Sequence, residues 1–175
     1  MDTSNKKKTL RRRNVFFSLI GISVVALLVI LYITAPLGIS ISDMETGEVL
    51  YRTRIDDGGR FSVEYIHSVE RSPVKEIFEV RGTDIYTMES HTESFGAGMP
   101  YEGEVMELED GKFIISEINR PVRGGALRIR PSSVFPHHIM IGDDDILISE
   151  PPFKGRNLEV NVTRTLFERG EINGR

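Results

Sequence analysis

One histidine and one glutamate lie in predicted strands among apolar side chains, and their spacing suggests chemistry. His67 and Glu76 each share a strand face with three apolar residues, because side chains alternate along a strand. The partners of His67 are Phe61, Val63 and Tyr65, and those of Glu76 are Val74, Phe78 and Val80. If residues 69–73 connect the two strands as a hairpin, His67 and Glu76 lie nearly opposite each other, within reach of a hydrogen bond.

Such a carboxyl and imidazole pair has two interpretations. It can be structural, since a buried glutamate needs a partner and a neighbouring histidine supplies one while fixing the hairpin register. It can also bind a polar ligand or a metal at the mouth of a pocket, with His91, Glu89 and Glu93 as further ligands. Because their spacing matches no zinc pattern, no metal and no cofactor are expected.

The most unusual local sequence is Phe-Gly-Ala-Gly-Met-Pro at residues 95–100. Gly96 and Gly98 allow close approach of the backbone to a partner, and Pro100 fixes the direction of the exit. No helix pattern follows and no Lys-Ser or Lys-Thr is present, so the segment is not a phosphate-binding loop. A ligand loop and a tight bend between strands both remain open.

Other polar positions carry weaker signals. Ser68 lies beside His67, but adjacent strand residues point to opposite faces and no Gly-x-Ser-x-Gly elbow is present, so an envelope hydrolase is unsupported. His137 and His138 are predicted to point to opposite faces for the same reason. The aspartates at residues 143–145 lack the spacing of a calcium loop and predict a solvated turn.

These candidates lie in the part of the chain that follows an apolar segment. Residues 15–35 contain no charged side chain, and as a helix at 1.5 Å per residue they span roughly 31 Å, the thickness of a bilayer core. The segment is longer than the apolar region of a secretory signal, so retention as an anchor is favoured over cleavage. We therefore predict a cytoplasmic segment at 1–14, a transmembrane helix at 15–35 and an outer domain at 36–175.

Charge is distributed unevenly around this segment. Six of the 22 basic residues and one of the 26 acidic residues lie in the first 14 positions, so the remainder holds 16 basic and 25 acidic residues, a net charge of −9. The basic N-terminus predicts a cytoplasmic start and an extracytoplasmic C-terminal domain. An acidic domain disfavours nucleic acid as a partner, and the absence of cysteine removes disulfides and thiolate chemistry.

The outer domain is predicted to be all-β. Short alternating runs are separated by turn residues, with no long stretch of helical period. Ten candidate strands lie at residues 38–43, 48–55, 60–67, 74–81, 84–89, 112–117, 126–130, 138–141, 145–149 and 158–164. This spacing predicts an antiparallel sandwich or barrel, and residues 91–103 are predicted to form a structured loop.

Three motifs together resemble an uncharacterised family called domain of unknown function 1850. They are Tyr-Ile-His-Ser-Val-Glu at 65–70, Ser-Pro-Val at 72–74 followed by Glu76 and Phe78, and the glycine segment at 95–100. The resemblance covers residues 51–162. It implies a small exported or membrane-anchored protein encoded beside TAXI-type TRAP transporter genes, with no established activity. The positions that match the family pattern are His67, Ser68, Glu70, Pro73, Glu76, Gly96, Gly98 and Pro100.

Anchor and resemblance together predict a single-pass cell-membrane protein without enzymatic activity. The resemblance implies an accessory of a TRAP-type uptake system, with the permease or its solute-binding protein as partner. The alternatives are a ligand- or metal-binding sensor that uses His67 and Glu76, and an envelope hydrolase. The candidate ligand-binding residues are His67, Ser68, Glu70, Glu76, Gly96, Gly98 and Pro100.

Overall fold

The structure, a computed structural model, describes residues 3–93, 104–107 and 111–164. The chain forms two compact units, Met1–Ala35 and Pro36–Arg175. The first unit contains one helix, α1 (Thr3–Ile33). Within it, Phe16–Ile33 is long and apolar enough to cross a membrane, with a mean hydropathy of 2.8, a property that a signal sequence would share.

The second unit is built from strands. They are β1 (Leu37–Asp43), β2 (Val49–Ile55), β3 (Arg60–Ile66), β4 (Pro73–Arg81), β5 (Asp84–Thr92), β6 (Glu104–Glu107), β7 (Phe113–Ser116), β8 (Arg120–Pro121), β9 (Leu127–Ile129), β10 (His137–Ile141), β11 (Asp144–Leu147) and β12 (Leu158–Arg164). All ten predicted strands are present, and β6 and β8 are additional. Strand β5 continues to Thr92, so the predicted loop was wrong at His91 and Thr92, which are strand residues.

The strands form two antiparallel sheets. A four-stranded sheet has the order β2-β1-β12-β9, and an eight-stranded sheet has the order β11-β10-β3-β4-β5-β7-β6, with β8 paired to β5. The predicted all-β antiparallel fold behind one apolar helix is confirmed. Of its two forms, the sandwich fits, because the described strands do not close into a barrel.

The hydrophobic core contains residues of both sheets. The core side chains of the central strands occupy alternate positions, as expected for a sheet with one face in the core. From the four-stranded sheet they include Ile39, Ile41, Val160 and Val162, and from the eight-stranded sheet Phe61, Phe78, Val80 and Ile139. Phe61 and Phe78 face each other across β3 and β4 with ring centroids 5.1 Å apart.

A bulge in β5 changes which of its residues face the core. Ile77 of β4 pairs with Glu89 and Phe78 pairs with Thr87, so Met88 has no partner in β4. The carbonyl of Met88 instead accepts a hydrogen bond of 3.2 Å from the amide of Ile118. The extra residue shifts the alternation, and the buried residues of β5 are therefore Ile85 and Thr87 before the bulge and Ser90 and Thr92 after it.

Two valines test the assignment of faces. Val160 is fully buried between Ile41 and Leu127, whereas 47% of Val49 is exposed on the edge strand β2. Val160→Ala should lower the free energy of unfolding by about 2 to 3 kcal/mol, because it removes buried methyl groups and leaves a cavity. Val49→Ala should cost less than about 1 kcal/mol. Denaturation of the detergent-solubilised chain followed by circular dichroism measures both, and equal losses would contradict the assignment.

Candidate functional site

The β3–β4 hairpin does not bring His67 and Glu76 together. Ile66 pairs with Pro73 and Val63 pairs with Glu76, so His67 lies beyond the end of β3 and the predicted pairing was wrong. The prediction assumed a turn that leaves His67 in the strand. In the structure the turn begins at His67, and Glu76 lies three residues into β4 after Pro73.

His67 has a structural role in this turn. Its amide donates to the carbonyl of Ser72 over 2.9 Å, and its carbonyl accepts from the amide of Arg71 over 2.8 Å. Its imidazole Nδ1 accepts a hydrogen bond of 3.2 Å from the amide of Glu70. Because this nitrogen is used within the turn, the side chain stabilises a local bend in the manner of a cap.

The other predicted site residues are divided between two places. Ser68 and Glu70 are exposed in the same turn, away from the core. Gly96, Gly98 and Pro100 lie outside the described residues. Among the described candidates, Glu76 is therefore the one whose side chain lies on the inner face of a sheet.

Glu76 belongs to a group of polar residues on the inner face of the eight-stranded sheet. It is paired with Val63 on one side and with Ser90 on the other, and both of these residues are buried. Tyr65, Thr92 and His137 continue the same face across the sheet. We call Tyr65, Glu76, Ser90, Thr92 and His137 the inner polar cluster.

The histidine of this cluster is His137, from β10. It pairs with Tyr65, and the two rings are stacked with centroids 5.1 Å apart and an interplanar angle of 12°. Its Nδ1 lies 3.2 Å from the carbonyl oxygen of Phe135, which can only accept, so Nδ1 is the donor in this bond. The amide of His137 donates to Ser149 Oγ over 3.3 Å.

The sequence correctly predicted the sheet faces on which His137 and His138 lie. They were predicted to point to opposite faces, and this is confirmed: His137 is buried, and His138 is outside, with Nδ1 2.6 Å from Asp145 Oδ1. What the pattern could not supply was the pairing of β10 with β3, because about 70 residues separate these strands along the chain.

The electrostatics of the cluster shift the Glu76 carboxyl toward its protonated form. Burial raises the pKa of Glu76, and attraction to the positive charge of Arg120 opposes this effect only in part. Burial, together with the nearby carboxyl of Glu76, raises the pKa of Tyr65 to about 12. A carboxyl, a phenol and an imidazole can all take part in hydrogen bonds.

This arrangement suits binding of a polar group better than metal binding. Among the described residues no hydrogen bond to the Glu76 carboxyl is seen, and its electrostatic partner is Arg120. The described residues contain no group of three potential metal ligands. His91 and Glu89, which were considered as additional ligands, lie on the opposite sheet face because of the β5 bulge, and they bond each other over 3.0 Å.

A pocket of about 440 Å³ lies where β3 ends and β4 begins. The pocket is lined by acidic, basic and apolar residues. They include Glu64, Ile66, Lys75, His91, Lys112 and His138. Lys75 Nζ lies 2.8 Å from Glu64 Oε1, so this pair crosses the pocket wall from β4 to β3. The attraction of Lys75 and a hydrogen bond from Ser62 lower the pKa of Glu64. Paired charges and aliphatic residues together can bind a small polar molecule.

The titration of Glu76 can be tested through stability. Because its pKa in the folded chain lies above the unfolded value of 4.5, wild type loses stability as pH rises through the folded pKa. The glutamine of Glu76→Gln cannot lose a proton. The free energy of unfolding of this variant, minus that of wild type, should therefore increase between pH 4.5 and neutral pH. Denaturation at several pH values measures this difference.

The matched control is Glu70→Gln, in the exposed turn. It should show a smaller change with pH than Glu76→Gln. If the two variants follow the same pH dependence, the buried carboxyl does not behave as described.

Comparison with known proteins gives one match. No curated protein and no solved structure matches the chain. A family model described as a domain of unknown function (DUF1850) matches residues 61–148, which is half of the 175 residues. The matched segment runs from Phe61 in β3 to Ile148 just after β11, so it includes the eight-stranded sheet except Arg60 and all five residues of the inner polar cluster. The chain therefore belongs to the DUF1850 family, as its motifs indicated.

Proposed function

We propose that this protein is a membrane-anchored, extracytoplasmic accessory of a TAXI-type TRAP solute uptake system. In this proposal α1 spans the cell membrane once, residues 1–14 stay in the cytoplasm, and residues 36–175 form the outer domain. The domain acts without catalysis and binds the permease or its solute-binding protein. The association with a transporter comes from the family resemblance.

The observation that carries the proposal is the exposure of α1. Every large apolar side chain from Phe16 to Ile33 is exposed, with exposed fractions between 44% and 65%. Left in water, such a surface would be strongly unfavourable, because apolar area costs roughly 25 cal/mol per Å². A bilayer removes this cost along the whole helix, and its backbone hydrogen bonds are already satisfied internally.

Charge supports the orientation. The six basic residues before the span favour retention of the N-terminus in the cytoplasm, whereas the following domain is acidic. The domain fold is independent of disulfides, since the chain has no cysteine. A domain stabilised by its packed β core needs no disulfides to remain folded outside the cytoplasm.

The geometry favours binding over hydrolysis. Ser68, the candidate nucleophile, is exposed in the β3–β4 turn, and the Nδ1 atom of its neighbour His67 accepts from Glu70. A general base must be within hydrogen-bond reach of the hydroxyl that it activates. The inner polar cluster and the pocket of about 440 Å³ instead present hydrogen-bonding groups and paired charges to a partner.

Purification from native membranes tests the accessory role. The full chain, tagged after Arg175 and extracted in mild detergent, should recover a multi-span permease subunit in near-equal amount. A matched chain of residues 1–36 with the same tag should recover much less, because it lacks the outer domain. Mass spectrometry measures both, and recovery of the full chain alone would contradict the association.

A ligand-binding sensor is the second candidate, favoured by the pocket, whose lining includes Tyr65 and Thr92 of the inner polar cluster. A ligand at about 100 times its dissociation constant stabilises a protein by about 2.7 kcal/mol. The purified full chain should then melt at a higher temperature with some members of a panel of small organic acids, amines and divalent metals. Lys75→Ala should reduce the shift, since Lys75 lines the pocket. An unchanged melting temperature across the panel would exclude this candidate for those ligand classes.

A further inference from the structure

The outer face of the four-stranded sheet is the basic face of an acidic domain. Alternation places Arg52, Arg54 and Arg128 on this face, together with one acid, Glu159. Arg128 Nε lies 3.2 Å from Glu159 Oε1, so these two charges compensate each other. Two positive charges remain, in a chain whose residues after position 14 carry a net charge of −9.

These two charges belong to Arg52 and Arg54, neighbours on the same face of the edge strand β2. Both side chains are exposed. Their partners across β1 are Ser40 and Gly38, which carry no charge. Within residues 3–93, 104–107 and 111–164, neither arginine forms an ion pair, so both guanidinium groups can bind an anion from outside the domain.

If α1 spans the bilayer, the short connection to it limits how far this face can lie from the membrane. Residues 34–36 join the end of α1 to Leu37, and a chain of that length reaches at most about 14 Å. Arg54 pairs with Gly38, one residue from the start of β1, and Arg52 pairs with Ser40. If α1 spans the bilayer, as the proposed function requires, both arginines are held within reach of lipid headgroups.

The composition of the face fits lipid phosphates better than a protein partner. Of its described residues, Val49 is the exposed apolar one, and the others are short or charged: Gly38, Ser40, Ser42, Asn161, Thr163, Arg52, Arg54, Arg128 and Glu159. Protein interfaces depend on buried aromatic or aliphatic anchors, which this face lacks. Guanidinium groups instead match phosphate oxygens in geometry and charge.

We propose that Arg52 and Arg54 bind the phosphates of anionic phospholipids and dock the outer face of the four-stranded sheet on the bilayer. Strands β1, β2 and β12 lie outside the segment that matches the family model. Docking converts a domain on a short tether into one with a fixed face toward the membrane. The eight-stranded sheet is then left available for partners.

Spin labelling of the full chain in lipid nanodiscs tests the docking. Because the chain has no cysteine, Val49→Cys introduces a single labelling site on this face. A nickel chelate attached to lipid headgroups should relax the label strongly in discs containing phosphatidylglycerol and weakly in discs of phosphatidylcholine alone. A label at Val69→Cys, in the exposed β3–β4 turn of the other sheet, should not respond to the lipid change.

Neutralising the arginines gives the decisive comparison. Each arginine near an anionic surface contributes roughly a fivefold preference, so Arg52→Gln with Arg54→Gln should lower the ratio of docked to undocked domain roughly 30-fold. The matched control is Arg123→Gln with Lys154→Gln, which removes two exposed positive charges from loops elsewhere in the domain and should leave docking unchanged.

The outcomes separate this inference from the proposed function. Equal relaxation in both types of disc, or in the arginine variant and its control, would overturn the docking while leaving the anchor intact. A chain that fails to insert into the discs would overturn both. Loss of the phosphatidylglycerol response at high salt supports the electrostatic origin, because screening weakens exposed charge interactions.

Discussion

The register of the β3–β4 hairpin decides which side chains meet on the inner face of the eight-stranded sheet. With Val63 opposite Glu76 and Phe61 opposite Phe78, one end of that face is apolar and joins the core beneath the four-stranded sheet. The other end carries a carboxyl, a phenol and an imidazole. A shift of one residue would turn every one of these side chains to the other face. The turn at His67, closed by bonds to Ser72 and Glu70, holds the register in place.

Charged side chains therefore have different surroundings on the two faces of the eight-stranded sheet. On the outer face of the eight-stranded sheet, opposite charges meet at the surface, as in the bonds of Glu79 to Arg60 and Arg81. Exposed pairs of this kind contribute little to stability, and here they keep the surface polar. On the inner face, burial raises the pKa of Glu76, and the positive charge of Arg120 opposes this effect only in part. A carboxyl whose pKa is raised by burial is a candidate for binding.

Alternation and turn residues were enough to predict the all-β fold and ten of the strands. They failed where one residue changes the alternation. The bulge at Met88 moved His91 and Glu89 to the outer face, and a turn that begins at His67 removed it from the strand. The site was predicted in part. The inward position of Glu76 followed from the alternation in its own strand, whereas the position of His137 in the cluster depends on a pairing between distant strands. Strand β8, with two residues, has no pattern of its own to detect.

The proposed membrane anchor would determine which side of the membrane these surfaces face. Selective labelling of single cysteines in intact cells tests this most directly, since the chain has no cysteine of its own. With a maleimide that cannot cross membranes, a cysteine at position 69 in the exposed β3–β4 turn should be labelled in intact cells, and a cysteine at position 4 only after lysis. Labelling of position 4 in intact cells with protection of position 69, or recovery of the chain in the soluble fraction, would contradict a membrane-anchored extracytoplasmic domain.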